Sequence, residues 1–257
     1  MKGLIYKDIF CLKKNLKMFI LVTLGIMLLS VMYVISAKHG NVADFMSKQD
    51  FGEDTMTKTL LLSMINMTLL IVINIPMAFI GNILDCFNED KKAGFHNILF
   101  AMPLSKRKIV GSRYASIMMY MLLGFVCAGV SAVTISIVSD EYTFGEMIGT
   151  VFAFAGVNLV YMSVVIPLLY YFGSAKGEVI IVLPIVIALI CVCAFLINKF
   201  DGVPDELFDA KLLKLLDSFL EFITTKGILV FLAGMGCLIC SYFVSVLAFD
   251  RKGDIRL

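Results

Sequence analysis

Six stretches of this chain, each 19 to 26 residues long, contain no Asp, Glu, Lys, Arg or His. One crossing of a lipid bilayer takes roughly 20 apolar residues, so each stretch is long enough to span. A water-soluble fold would have to expose large apolar patches, which soluble monomers avoid. Composition agrees: 60% of the 257 residues are apolar and 16% charged, against about 25% charged in ordinary soluble domains. The mean hydropathy is +0.94. The expected fold class is all-α: a polytopic membrane protein with a single transmembrane domain over residues 1–257.

The spans are placed at Met18–Ala37 (18–37), Thr59–Leu84 (59–84), Tyr114–Val138 (114–138), Met147–Phe172 (147–172), Val179–Ile197 (179–197) and Gly227–Phe249 (227–249). Pro76, Pro167 and Pro184 sit inside spans two, four and five, where each removes a helical hydrogen bond and favours a kink. Gly145-x-x-x-Gly149 and the run Ala233-Gly234-Met235-Gly236 are small-residue patterns that let membrane helices approach closely. Asn66, Asn74 and Asn158 are the notable polar residues of the spans, and interhelical hydrogen bonding is their expected role.

Loop charges orient the chain. The segments on one side carry fifteen Lys/Arg and seven Asp/Glu, those on the other seven and thirteen. The net charges are +8 and −6. The basic side, which holds both termini, is expected to be cytoplasmic, in the plasma membrane. Residues 1–17 form a basic amphipathic segment, with Ile5, Ile9, Leu12 and Leu16 at helical spacing among Lys7, Asp8, Lys13, Lys14 and Lys17. Such a segment reads as an interfacial helix.

Several function classes fall away. With no Asp, Glu, Lys, Arg or His in any span, the charged groups that ion-coupled transporters and proton pumps usually need are missing. His39 and His96 lie in loops on opposite sides, so no metal or serine-activating pair is available. The seven cysteines fall mostly in apolar runs, where they pack as small hydrophobes. Catalytic, cofactor and metal sites are therefore expected to be absent. A net charge of +2 gives no footprint for nucleic acid. The first apolar run exceeds a secretory signal core. No G-x-x-x-x-G-K-[ST] run occurs, so any ATP-derived energy must come from another subunit.

Two segments outside the spans carry patterns of their own. Between spans five and six, residues 204–223 place Phe208, Leu212, Leu215, Leu216, Phe219 and Ile223 on one helical stripe. Pro204 suits the first turn and Asp205 and Glu206 suit the N-terminal dipole. The pattern is expected to be an extracytoplasmic amphipathic helix that lies on the outer surface or caps the bundle; packing between spans fits the same stripe.

The other segment is the long loop 85–113 between spans two and three. Glu89, Asp90, Lys91 and Lys92 form a charged cluster, followed by Phe95, Ile98 and Leu99. Ser105 then stands where a helix running into span three needs its cap. A short helix with apolar anchors and a charged rim suits a partner's groove; packing beneath the bundle fits the same composition.

The run Met102-Pro103-Leu104-Ser105-Lys106-Arg107-Lys108-Ile109-Val110, followed by Ser112-Arg113-Tyr114, resembles the cytoplasmic loop of ABC-2 type transporter permeases. It is similar in particular to the group that includes the phenol-soluble-modulin exporter permeases. Asp90 and Phe95 match that group's acidic and aromatic positions; Phe95 stands where Trp is frequent, and Lys91 replaces a second acid. The resemblance implies a permease half that pairs with a second half, expected to be an identical chain. It also implies two separate ATPase subunits, which would bind ATP and Mg, this chain holding no cofactor. The 85–113 loop would then be the coupling helix, with Glu89, Asp90, Lys91 and Lys92 as rim and Phe95, Ile98 and Leu99 as anchors. The implied cargo is an amphipathic peptide or drug-like antimicrobial compound. The alternative from another class is a non-transporting membrane protein for immunity or sensing that binds peptides, with a secondary transporter third.

Overall fold

A computed structural model describes residues 2–11, 13–38, 72, 74, 75, 85–95, 104–138, 143–172, 177–200 and 205–254. All regular structure among the described residues is helical. In chain order the helices are α1 (Lys2–Cys11), α2 (Lys13–Lys38), α3 (Asp85–Lys92), α4 (Lys106–Val138), α5 (Phe144–Phe172), α6 (Gly177–Phe200) and α7 (Asp205–Asp254). Four apolar segments are long enough to cross a membrane: Lys106–Ile137, Phe144–Phe172, Val182–Lys199 and Ala210–Asp250. The first expected span falls within α2, whose described apolar part is Lys17–Met32. The second, Thr59–Leu84, lies outside the described residues except for Val72, Asn74 and Ile75.

The observed helices outrun the apolar stretches because helix formation does not stop at the membrane boundary. α4 begins at Lys106 rather than Tyr114, since the basic turn ahead of the apolar run continues the same helix. Ser105 is its N-cap position, and its carbonyl accepts the amides of Lys108 at 2.8 Å and Ile109 at 3.3 Å. α5 opens on a capping box. The Thr143 amide donates to Glu146 Oε2 at 3.0 Å, and the Glu146 amide donates to Thr143 Oγ1 at 3.4 Å. Helices α5 and α6 continue through Pro167 and Pro184.

The largest departure from expectation is α7. The segment read as a separate outer helix, 204–223, and the span 227–249 are one helix of 50 residues, roughly 75 Å long at 1.5 Å per residue. Nothing between them breaks the helix. Thr224 Oγ1 donates to the Leu220 carbonyl at 3.0 Å, and Thr225 Oγ1 to that of Glu221. Leu212, Leu215, Leu216 and Ile223 are half-buried and Phe219 is exposed; the Phe208 side chain lies outside the described residues.

The bundle is organised by α5 and α7, which run parallel. Gly149 meets Thr224 and Gly227, and seven residues on Gly156 meets Val230, Phe231 and Gly234. A Cβ on Gly156 would lie 2.6 Å from the Val230 carbonyl, and one on Gly234 would lie 2.6 Å from that of Gly156. Of the small-residue patterns noted in the sequence, Gly149 and Gly234 are used, while Gly145 and Gly236 face open space. The working spacing is a heptad on each helix. One level further in, Phe125, Phe152 and Phe231 pin α4, α5 and α7 together, with ring centroids 5.1 to 6.3 Å apart.

α4 runs antiparallel to α7. The Tyr114 hydroxyl lies 2.7 Å from Ser241 Oγ and 2.8 Å from Ser245 Oγ, and Lys106 pairs with Asp250 at 3.2 Å. α6 packs on α5 and leaves most of its described side chains exposed, as a lipid-covered helix would. Asn158 turns back on its own helix, donating to the Phe154 carbonyl at 3.0 Å, where an interhelical bond was expected.

Candidate coupling surface and its buried charge ring

The basic end of the bundle gathers α1, α3, the start of α4 and the ends of α5 and α7. Its centre is a closed ring of four alternating charges drawn from three segments. Asp8 of α1 accepts from Arg113 Nη1 of α4 at 2.8 Å and pairs with Lys7 at 3.3 Å. Asp90 of α3 pairs through Oδ2 with Arg113 Nη2 and through Oδ1 with Lys7. Ser116 donates to the remaining Asp8 oxygen at 3.1 Å. Asp8 is 2% exposed, Arg113 7% and Asp90 9%. Isolated charges so buried would be costly, but here each has two opposite neighbours. The ring is neutral.

Aromatic rings close it off on two sides. The Arg113 guanidinium lies 4.6 Å from the Phe87 ring centroid, and the Lys7 ammonium 4.2 Å from that of Phe95, both within cation–π range. Phe87 stands edge-on to Tyr170 of α5 at 5.3 Å, and Tyr170 to Phe249 of α7 at 5.6 Å. The ring is thus wedged against the core. Cys86, 1% exposed, lies 3.7 Å through its sulfur from the Asp8 carbonyl. Burial pushes its thiol up to about 12 against the pull of neighbouring Arg113, so it carries almost no thiolate at neutral pH.

Local sequence explains how α3 delivers Phe95. After Lys91 and Lys92, which suit a helix C-terminus, the Ala93 amide donates to the Glu89 carbonyl at 2.9 Å. Gly94 then takes φ +63°, the left-handed cap that glycine adopts without a Cβ penalty. The helix ends there, and the next residue, Phe95, lies with its ring under the Lys7 ammonium.

The residues expected to form a coupling surface divide into groups. Glu89 and Lys92 are exposed and pair with each other at 2.9 Å. Phe95 is half-buried, under Lys7. Asp90, expected on the same rim, faces inward instead because Arg113 and Lys7 neutralise it there. The Lys91 side chain, Ile98 and Leu99 lie outside the described residues.

Sequence reasoning missed Lys7, Asp8, Cys86, Phe87, Arg113 and Ser116 as members of one site. α1 also turns differently from expectation. Its buried centre is Asp8, Ile5 and Ile9 are only half-buried, and the stacked pair Tyr6 and Phe10 is exposed. A signal was present: Asp8 is the one acid among the first 17 residues, and Arg113 directly abuts an apolar span. Charges at such positions need partners.

A model of the family described as ABC-2 family transporter protein matches residues 55–250. That stretch covers α3 to α7 up to Asp250, including Asp90 and Arg113 of the charge ring. No curated protein and no solved structure matches the chain.

Proposed function

Because the chain belongs to the ABC-2 family of transporter proteins, we propose that it is the permease subunit of an ATP-driven exporter. In this reading two identical chains form the pathway in the plasma membrane, and both termini are cytoplasmic. Two separate ABC ATPase subunits bind ATP and Mg and dock at the basic end. The observation that carries the reading, beside family membership, is the exposed Glu89–Lys92 pair on a short helix outside the apolar segments, with half-buried Phe95 just past the helix end. That is the form of an aromatic anchor with a charged rim. Glu89, Lys91 and Lys92 are assigned to the rim and Phe95, Ile98 and Leu99 to the anchor, with Asp90 holding the surface from beneath. Spans without charge suit an amphipathic peptide or drug-like cargo, as in the phenol-soluble-modulin exporter group that the loop resembles.

The test is copurification of the ABC ATPase with the permease, together with ATP-dependent export from the same membranes. Phe95→Ala should weaken association about tenfold or more, since truncated anchors cost about 2 kcal/mol and 1.4 kcal/mol is a factor of ten. Lys91→Ala should act less, and its effect should fade at high salt. Full ATPase binding and export by Phe95→Ala would remove the coupling assignment and favour a peptide-binding membrane protein.

The amphipathic half of α7 is assigned a capping or surface role outside the membrane through Phe208, Leu212, Leu215, Leu216, Phe219 and Ile223. Leu212→Asp with Leu216→Asp should impair export while leaving ATPase copurification intact. Wild-type export from a well-expressed double variant would reduce this segment to a connector.

A further inference from the structure

The charge ring is not symmetric in what each member can leave behind. Asp8 and Arg113 are joined by a hydrogen bond of 2.8 Å, and Ser116 adds a second donor to Asp8. Remove Lys7 and Asp90 together and that pair remains neutral and hydrogen-bonded. Every ion pair between the ring and α3, by contrast, runs through the single Asp90 carboxylate, with Phe87 over Arg113 and Cys86 against the Asp8 carbonyl adding uncharged contacts. Lys7 is also the most exposed of the four side chains, at 24%, and it holds both Asp90 and the face of Phe95. The ring therefore consists of a post, Asp8–Arg113, and a clasp, Lys7 on Asp90.

We propose that α1 is the retainer of the coupling segment: Lys7, with Arg113, clasps Asp90 and positions α3 and Phe95 against α4 as one detachable unit. Lys7 and Asp90 are positioning residues, acting on a partner only through the surface they hold. This deepens the assignment of that surface to ATPase docking, but the clasp itself can be tested without any ATPase. When the clasp opens, Asp90 gains water, Lys7 stays outside the post, and no unpaired charge is left buried. Opening is then a two-position event, since a carboxylate is either in the ring or solvated. Phe95 loses its cation when the clasp lets go, so anchor and clasp are released together.

Cys86 is a native reporter for this event. It sits on α3, is buried, and faces the Asp8 carbonyl, so it becomes accessible when α3 leaves. The experiment keeps Cys86 and replaces Cys11, Cys127, Cys191, Cys193, Cys237 and Cys240 with alanine, then measures N-ethylmaleimide labelling of the full chain in its membranes. Thermal unfolding is followed on the same protein in detergent. Asp90→Asn alone leaves the ring with one excess positive charge and should lower the unfolding temperature. Lys7→Met with Asp90→Asn restores neutrality and should recover it, yet Cys86 should label about tenfold faster than in the intact ring, the factor for each 1.4 kcal/mol lost from the closed state. Glu89→Gln with Lys92→Gln removes an exposed pair from the same helix and should leave Cys86 protected.

Cys86 that stays protected in the Lys7→Met/Asp90→Asn protein would overturn the proposal. So would a double variant that unfolds as early as Asp90→Asn alone, because the ring would then be cement for the whole corner. Faster labelling at unchanged unfolding temperature, with ATPase copurification intact, would uphold the clasp while removing the docking role of the surface it holds.

Discussion

Arg113→Met should be among the most damaging single substitutions in the chain, at about 3–5 kcal/mol, the range for breaking a buried ion pair by removing one partner. The loss leaves Asp8 and Asp90 buried with Lys7 as their only cation in the ring. It also removes the cation over Phe87, whose ring bridges to Tyr170. Arg113→Lys should fall between the two, because one ammonium cannot reproduce two nitrogens directed at two carboxylates. Adding Asp8→Asn to Arg113→Met restores neutrality and should recover a substantial part of the loss, a coupling expected of residues in direct contact. Thermal unfolding of the detergent-solubilised chain checks all three. Wild-type stability of Arg113→Met would mean that the ring does not hold this corner together.

A comparable loss is expected where α5 and α7 touch. Gly227→Ala and Gly156→Ala each place a methyl group against the backbone of the facing helix. Backbone cannot rotate aside as a flexible side chain can, so the helices must separate. The expected cost is about 3 kcal/mol, the upper part of the usual overpacking range. Gly236→Ala and Gly145→Ala meet nothing within 4 Å and should be neutral or stabilising by up to about 1 kcal/mol, since alanine is the better helix former. Unfolding of the four variants under one detergent condition gives the comparison. Equal effects at all four positions would remove the close contact from its organising role.

Much of the local architecture was legible in residue order because membrane spanning is a one-dimensional constraint. Charge-free length announces itself residue by residue, and the runs at Met147–Phe172 and Val179–Ile197 coincide closely with α5 and α6. Ser105 was readable as a cap for the same reason: capping depends on neighbours three residues away. The box Thr143-x-x-Glu146 carries a signal of equal quality, and the nearby Gly145-x-x-x-Gly149 pattern obscured it. The continuity of α7 was harder to see. A change from amphipathic to uniformly apolar composition near Lys226 looks like a boundary, but composition changes without a breaker do not end a helix.

The charge ring lay beyond such reading. Lys7 and Asp8 are separated from Asp90 by some eighty residues and from Arg113 by more than a hundred, and each alone looks like a solvated charge at a membrane flank. What sequence by itself determined was which segments are apolar enough to span, where α4 is capped, and that those apolar runs carry no Asp, Glu, Lys, Arg or His. Only the tertiary structure decided which flanking charges turn inward, which glycines are contacts, and that α1 grips α3. The physical reason is that apolarity and capping are properties of a residue and its near neighbours in the chain. Neutralising a buried charge or admitting a close backbone requires a partner that only the folded arrangement supplies.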